Sequence, residues 1–94
     1  MARTKKQDLT PVEAILGITP AQAQEALDTL TERESQVVEL MANGTRNKLI
    51  AEELGISIKT LDIHRGNVQR KLRVKTAVDV ARYVFATKFG KLFE

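Results

Sequence analysis

These 94 residues contain no cysteine and no tryptophan, with only two prolines, one tyrosine and one histidine. Without cysteine there is no disulfide framework and no thiolate zinc site, which is what a reducing cytoplasm permits. A single histidine and no convergent pair of carboxylates give no metal or nucleophile constellation, so the chain does not read as an enzyme and no cofactor or metal is expected. The five glycines, Gly17, Gly44, Gly55, Gly66 and Gly90, stand alone, which excludes a glycine-rich phosphate cradle. No apolar run approaches the roughly 20 residues that span a bilayer. The basic start, Met1 to Lys6, is interrupted by Gln7 and Asp8 before any signal-peptide core can form. A soluble, cytoplasmic protein without membrane contact is the expectation.

What is present is an ordinary globular composition, 43% hydrophobic and 29% charged, in a chain long enough for one modest core. The stretch from Thr45 to Leu72, TRNKLIAEELGISIKTLDIHRGNVQRKL, organises the rest. Thr45 offers a capping oxygen, and Asn47, Ile50, Ala51 and Leu54 then fall on one face at i, i+3, i+4 and i+7, which predicts a short helix. Gly55 follows the last apolar position, where a left-handed residue ends a helix without a Cβ penalty, and Ser57 is placed to cap the next one. A second helix is predicted over about Ile58 to Leu72. Leu61, Val68 and Leu72 lie on one side of it with His64 at the margin, and Lys59, Asp62, Ile63, Gly66 and Arg70 lie on the other. Two helices joined by so short a turn have helix-turn-helix geometry, in which the second helix enters the major groove of DNA.

The charge is local. Thr45 to Lys75 carries eight Lys/Arg against three acids, net +5, whereas Met1 to Gly44 is net −3 and Thr76 to Glu94 is net +1. A whole-chain +3 says little, but a +5 segment that contains the reading helix is the footprint expected for phosphate contact.

The run Leu30 to Val84 resembles the LuxR/FixJ (NarL-type) DNA-binding domain of bacterial transcriptional regulators. It carries Leu30-Thr31-x-Arg33-Glu34, then Gly44 with Asn47-Lys48-x-Ile50-Ala51, then Ser57-x-Lys59-Thr60-Leu61-x-x-His64-Arg65-x-Asn67 and Lys71-Leu72. The resemblance covers over half the chain. It implies an all-α bundle that binds double-stranded DNA, regulates transcription and commonly dimerises through its last helix. Lys59 and Thr60, in the first turn of the reading helix, would meet phosphate or a base edge. Arg65 and Arg70, with Arg46 and Lys48 on the preceding helix, would grip phosphates. Asp62, Ile63 and Gly66 are the expected points of base-edge approach: Asp62 can accept from cytosine N4, and Ile63 offers an apolar contact to a thymine methyl. Asn67 is in reach of an edge or the backbone. Gly66 costs about 1 kcal/mol in a helix relative to alanine; close approach to DNA, tuning to one narrow site and reading of DNA shape all remain open for it. The plain alternative for Lys59, Arg65 and Arg70 is a solvated charged face, and His64 is expected to be a packed, hydrogen-bonded residue.

The fold class expected is therefore a compact all-α bundle containing a helix-turn-helix with a short helical N-terminal extension. It divides into 1–30, a basic arm and helical extension; 31–88, the DNA-binding domain; and 89–94, a tail. Thr10-Pro11-Val12-Glu13 and Thr19-Pro20-Ala21-Gln22 each open a helix, the first running to about Leu16 and stopped by Gly17, the second to about Leu30 with Ala23, Ala26, Leu27 and Leu30 on one face. The extension reads either as a linker or packing segment or as a dimer or partner surface. Thr31-Glu32-Arg33-Glu34 opens a helix to about Ala42 that Gly44 ends, and Thr76 with Asp79 opens the last, from Ala77 to about Lys88.

That last helix carries Val78, Val80, Ala81, Val84 and Phe85, too wide an apolar set for one buried stripe. Val78, Ala81, Val84 and Phe85 are the candidate homodimer surface; the alternative is that the extension folds back and covers them. Phe89, Leu92 and Phe93 either seal the core or add a second sticky surface. The function expected is sequence-specific DNA binding by a dimer on two half-sites. The runner-up is an interaction module that pairs with another regulator or RNA polymerase; a promoter-reading sigma-factor domain is a nearer alternative. The residues before Leu30 are too few for a receiver or ligand-binding domain, so the chain is expected to be free-standing or the output end of a longer regulator.

Overall fold

Thr19, Thr31 and Ser57 each hold the backbone extended and accept a hydrogen bond from the amide three residues on, at 3.1, 3.2 and 3.0 Å, and a helix starts at each point. In the computed structural model, which describes residues 17–89, these and two further starts give α1 (Pro20–Leu27), α2 (Glu32–Ala42), α3 (Asn47–Leu54), α4 (Ile58–Leu72) and α5 (Ala77–Phe89), with no strand among the described residues. Gln22 and Glu34 answer with their side chains on the Thr19 and Thr31 amides, so both capping boxes are complete. At α5 the Thr76 hydroxyl accepts from the Asp79 amide, and Asp79 also takes bonds from Thr76 Oγ1 and Arg82 Nη1 at 3.0 and 2.9 Å. Those bonds hold the Asp79 carboxyl below the usual carboxylate range. The expectations for Met1 to Leu16, and for the side chains of Phe89, Leu92 and Phe93, lie outside the described residues.

Two boundaries differ from expectation. Thr45 does not cap α3: its amide donates to Leu40 O in the turn leaving α2, and Arg46 occupies the cap position without a side-chain bond. α1 stops at Leu27 rather than near Leu30, because the Thr29 hydroxyl takes the Ala26 carbonyl at 2.7 Å and the chain turns there. Leu30 is still partly buried against the core, which is why the apolar spacing continues past the helix.

α2 lies at the centre and packs on α3, α4 and α5. Its Val37, Val38 and Met41 meet Ile50 and Ala51 of α3, Leu61, Val68 and Leu72 of α4, and Val80 and Val84 of α5 in one core. Each large side chain buried there contributes about 1.5–3 kcal/mol. α1 packs along α5, with Ala23 on α1 and Ala86 on α5 both fully buried. The N-terminal extension, where described, is thus a fifth helix of the globule.

That packing also corrects the candidate dimer surface. Val84 is 1% exposed and belongs to the chain's own core, so it has no area to offer a partner. Val78 at 72% and Phe85 at 38% stay open, and Ala81 between them is half-buried. α1 therefore covers one side of α5 without covering that stripe.

Candidate nucleic-acid interface

The turn between α3 and α4 is three residues, Gly55 to Ser57. Gly55 takes φ +68°, a left-handed conformation in which a side chain would be strained, and its amide and that of Ile56 close onto Glu52 O and Ala51 O. Arg33, from α2, adds a long bond from Nη1 to Leu54 O at 3.4 Å, on the last residue of α3. The two helices of the motif are held at both ends of the turn.

Three features seat α4 from behind. Leu61 and Val68 are fully buried and Leu72 nearly so. Tyr83 on α5 donates its hydroxyl to Leu72 O at 3.0 Å, satisfying a carbonyl at the helix end. Lys71 Nζ lies 2.7 Å from Glu34 Oε1, and Glu34 is buried. Burial alone would raise the Glu34 pKa, but the Lys71 bond and charge together with the Thr31 amide and hydroxyl outweigh it and hold the carboxyl below its ordinary value. One carboxylate thus closes the N-terminus of α2 and anchors the C-terminus of α4. The capping role of Glu34 was legible from its spacing; the pairing, across 37 positions, carried no sequence signal.

On the other side of α4, Lys59, Ile63, Gly66 and Arg70 recur at i, i+4, i+7 and i+11, so one straight stripe runs the length of the helix. Lys59, Asp62 and Arg70 are exposed, and Ile63 is 59% exposed although it is a large apolar side chain. A Cβ built on Gly66 meets nothing within 4 Å, so no packing among the described residues requires a glycine there. Asn67 flanks the stripe and accepts from Arg70 Nη2 at 2.6 Å. Thr60 is half-buried and its hydroxyl accepts from Ser57 Oγ at 3.0 Å, so it serves the cap.

Arg65 departs from the expected free grip. It is half-buried, and its Nη1 donates to Asn47 Oδ1 at 2.8 Å, tying α4 to the start of α3. Asn47, expected on the inner face, is exposed and forms the other half of that tie. Arg46, Lys48 and Lys59 are exposed, and their charged groups have no partner among the described residues. His64 is half-buried at the core margin as expected, but among the described residues its ring makes no hydrogen bond. No group of acids and histidines that could hold a metal occurs among the described residues, nor any helix long and apolar enough to cross a membrane.

Residues 28–84, more than half the chain, match the family described as bacterial regulatory proteins, luxR family. Over 58 residues the chain is 50% identical to the transcriptional regulatory protein UhpA of Escherichia coli, covering 62% of this chain and 30% of that protein. Over 64 residues it is 42% identical to the transcriptional regulatory protein FixJ of Rhizobium meliloti, covering 68% and 31%. Full-length FixJ from B. japonicum is structurally similar, with a TM-score of 0.64 and 34% identity over 72% of this chain and 35% of that one. The chain spans between a quarter and a third of the length of the curated relatives it matches.

Proposed function

Because the chain belongs to the luxR family of bacterial regulatory proteins, we propose that it binds double-stranded DNA in a sequence-specific manner and regulates transcription, as a dimer on two half-sites with α4 in the major groove. The observation that carries this is the stripe Lys59–Ile63–Gly66–Arg70: it faces outward from a helix whose opposite side is fixed by core contacts, a tyrosine bond and a buried ion pair. Lys59 and Arg70 supply charge to phosphate or a base edge, Ile63 an apolar contact to a thymine methyl, Asp62 an acceptor for cytosine N4, and Gly66 room for close approach. Arg46 and Lys48, on the leading end of the preceding helix, take phosphates. Thr60, Arg65 and Asn67, each already bonded within the chain, act mainly by holding the reading surface in shape.

Dimerisation uses the exposed Val78 and Phe85 of α5 with half-buried Ala81 between them, a two-fold contact that would set the spacing of the half-sites. The same patch favours a second reading, a module that pairs with another regulator or RNA polymerase without reading DNA.

The test is selection from a pool of random duplex DNA at two salt concentrations. Recovery of a two-fold-related motif with half-sites about one helical turn apart is the expected result. Retention without enrichment, lost steeply with salt, would reduce the DNA contact to generic phosphate binding and leave the interaction module as the better reading.

A further inference from the structure

Four described residues have left-handed backbones, and three of them are glycines: Gly17, Gly44 and Gly55. The fourth is Arg73, at φ +58°, the one non-glycine residue in this conformation among those described. It ends α4, and the turn around it is closed by its own amide on Arg70 O at 3.3 Å and by the Val74 amide on Gln69 O at 2.9 Å. Glycine is the residue that relaxes this geometry, and the chain places one at each of the other three positions. Arginine is strained here, and its strain is not offset inside the protein: the side chain is exposed, and its guanidinium has no partner among the described residues.

Its position says where a partner would come from. Arg73 follows Gly66 by seven and Arg70 by three, so its Cα sits at the end of the outward stripe that begins at Lys59. Fourteen residues of helix cover about 21 Å, whereas the major groove is about 12 Å wide. With the first turns of α4 at the base edges, its far end has left the groove floor and meets the backbone. Arg73 also borders an open cleft of about 690 Å³ whose rim carries Lys75 and Arg82 beside Asp79. The setting around it is cationic, and phosphate is the anion that DNA presents there.

We infer that Arg73 is a DNA phosphate contact at the distal end of the reading helix, held in an otherwise unfavourable backbone conformation for that purpose. The inference rests on the DNA-binding reading and adds to it a residue outside the reading surface described above. Its signature is a pair of opposed effects. Arg73→Gly removes the strain and the charge together, so the melting temperature stays level or rises by a few degrees while affinity for the selected duplex falls about three- to tenfold. The slope of log K against log salt becomes shallower by about 0.9, the value for one phosphate. Arg73→Gln, which keeps the strained backbone, shows the same loss of slope, and Arg73→Lys retains it.

Unchanged affinity and slope in Arg73→Gly and Arg73→Gln, with Lys59→Ala still weakening binding, would overturn the inference and leave the DNA reading standing. No binding of any duplex by the unaltered chain would overturn both.

Discussion

The two sides of α4 are built on opposite rules. On the inner side the anchoring groups are met: Leu61, Val68 and Leu72 by the core, Lys71 by Glu34, and the Leu72 carbonyl by Tyr83. On the outer side stand an ammonium without a partner among the described residues, a 59% exposed isoleucine and a glycine whose Cβ position faces open space. A fifteen-residue helix with those two sides is a rigid mount for a surface on which Lys59, Ile63 and Gly66 make no contact that the core depends on. The difference teaches that stability and recognition are separable here, and substitutions on the two sides should divide accordingly.

The largest effect belongs to the inner side. Leu61→Ala empties a fully buried site in the shared core, and a loss of about 2–5 kcal/mol is expected. Chemical denaturation followed by circular dichroism measures it. A loss below about 1 kcal/mol would mean that α4 is not anchored where the packing places it.

Next comes the ion pair. Lys71→Ala leaves the Glu34 carboxylate buried without its cation, and about 1–3 kcal/mol should be lost near pH 7. The pH dependence follows from the direction of the shift. Glu34 has a lower pKa folded than unfolded, so the unfolded chain binds its proton first as pH falls. The contribution is complete above the ordinary carboxylate range and disappears as pH drops through that range towards the folded pKa. Denaturation midpoints of the two proteins should therefore converge on acidification. A gap that does not narrow at all as pH falls through the reference pKa of glutamate would assign the effect to lost packing of the lysine stem instead.

Two glycines sharpen the contrast within one motif. Gly55 is left-handed, so Gly55→Ala should cost about 1–2 kcal/mol although there is open space around it. Gly66 is helical in equally open space, so Gly66→Ala should stabilise the fold by about 1 kcal/mol. Opposite signs in the two denaturation curves are the expected outcome. If Gly66→Ala also weakens duplex binding, the glycine serves close approach; unchanged binding would leave the absence of a side chain there without a role in recognition.

How much of this was legible in the sequence depends on range. The capping boxes at Thr19 and Thr31, the Gly55 turn and both faces of α4 are set by spacings of three to seven residues, and periodicity reads such spacings directly. Thr45 and the end of α1 were misplaced because hydroxyls and amides near a helix end have several local partners, and composition does not rank them. The Glu34–Lys71 pair, the Asn47–Arg65 tie and the loss of Val84 to the core depend on how helices far apart in sequence meet. The width of the apolar set on α5 showed that more than one surface had to be covered. It did not show that α1 takes one side and leaves Val78 and Phe85 on the other.

The smallest effect on folding is expected at the most exposed point of the stripe. Ile63 buries little in the free chain, so Ile63→Ala should change stability by no more than about 0.5 kcal/mol. On DNA the same side chain would lose its contact with a thymine methyl, and the loss should be confined to the base pair it reads. Substituting that one base pair in the selected duplex costs the unaltered chain about 1–3 kcal/mol; against the variant the penalty should shrink while penalties at other positions persist. A penalty that shrinks evenly across the site would mean that Ile63 shapes the surface without reading a base. A shift in the denaturation midpoint as large as that of Lys71→Ala would break the division between the two sides of the helix, because it would place on the outer face a residue the fold depends on.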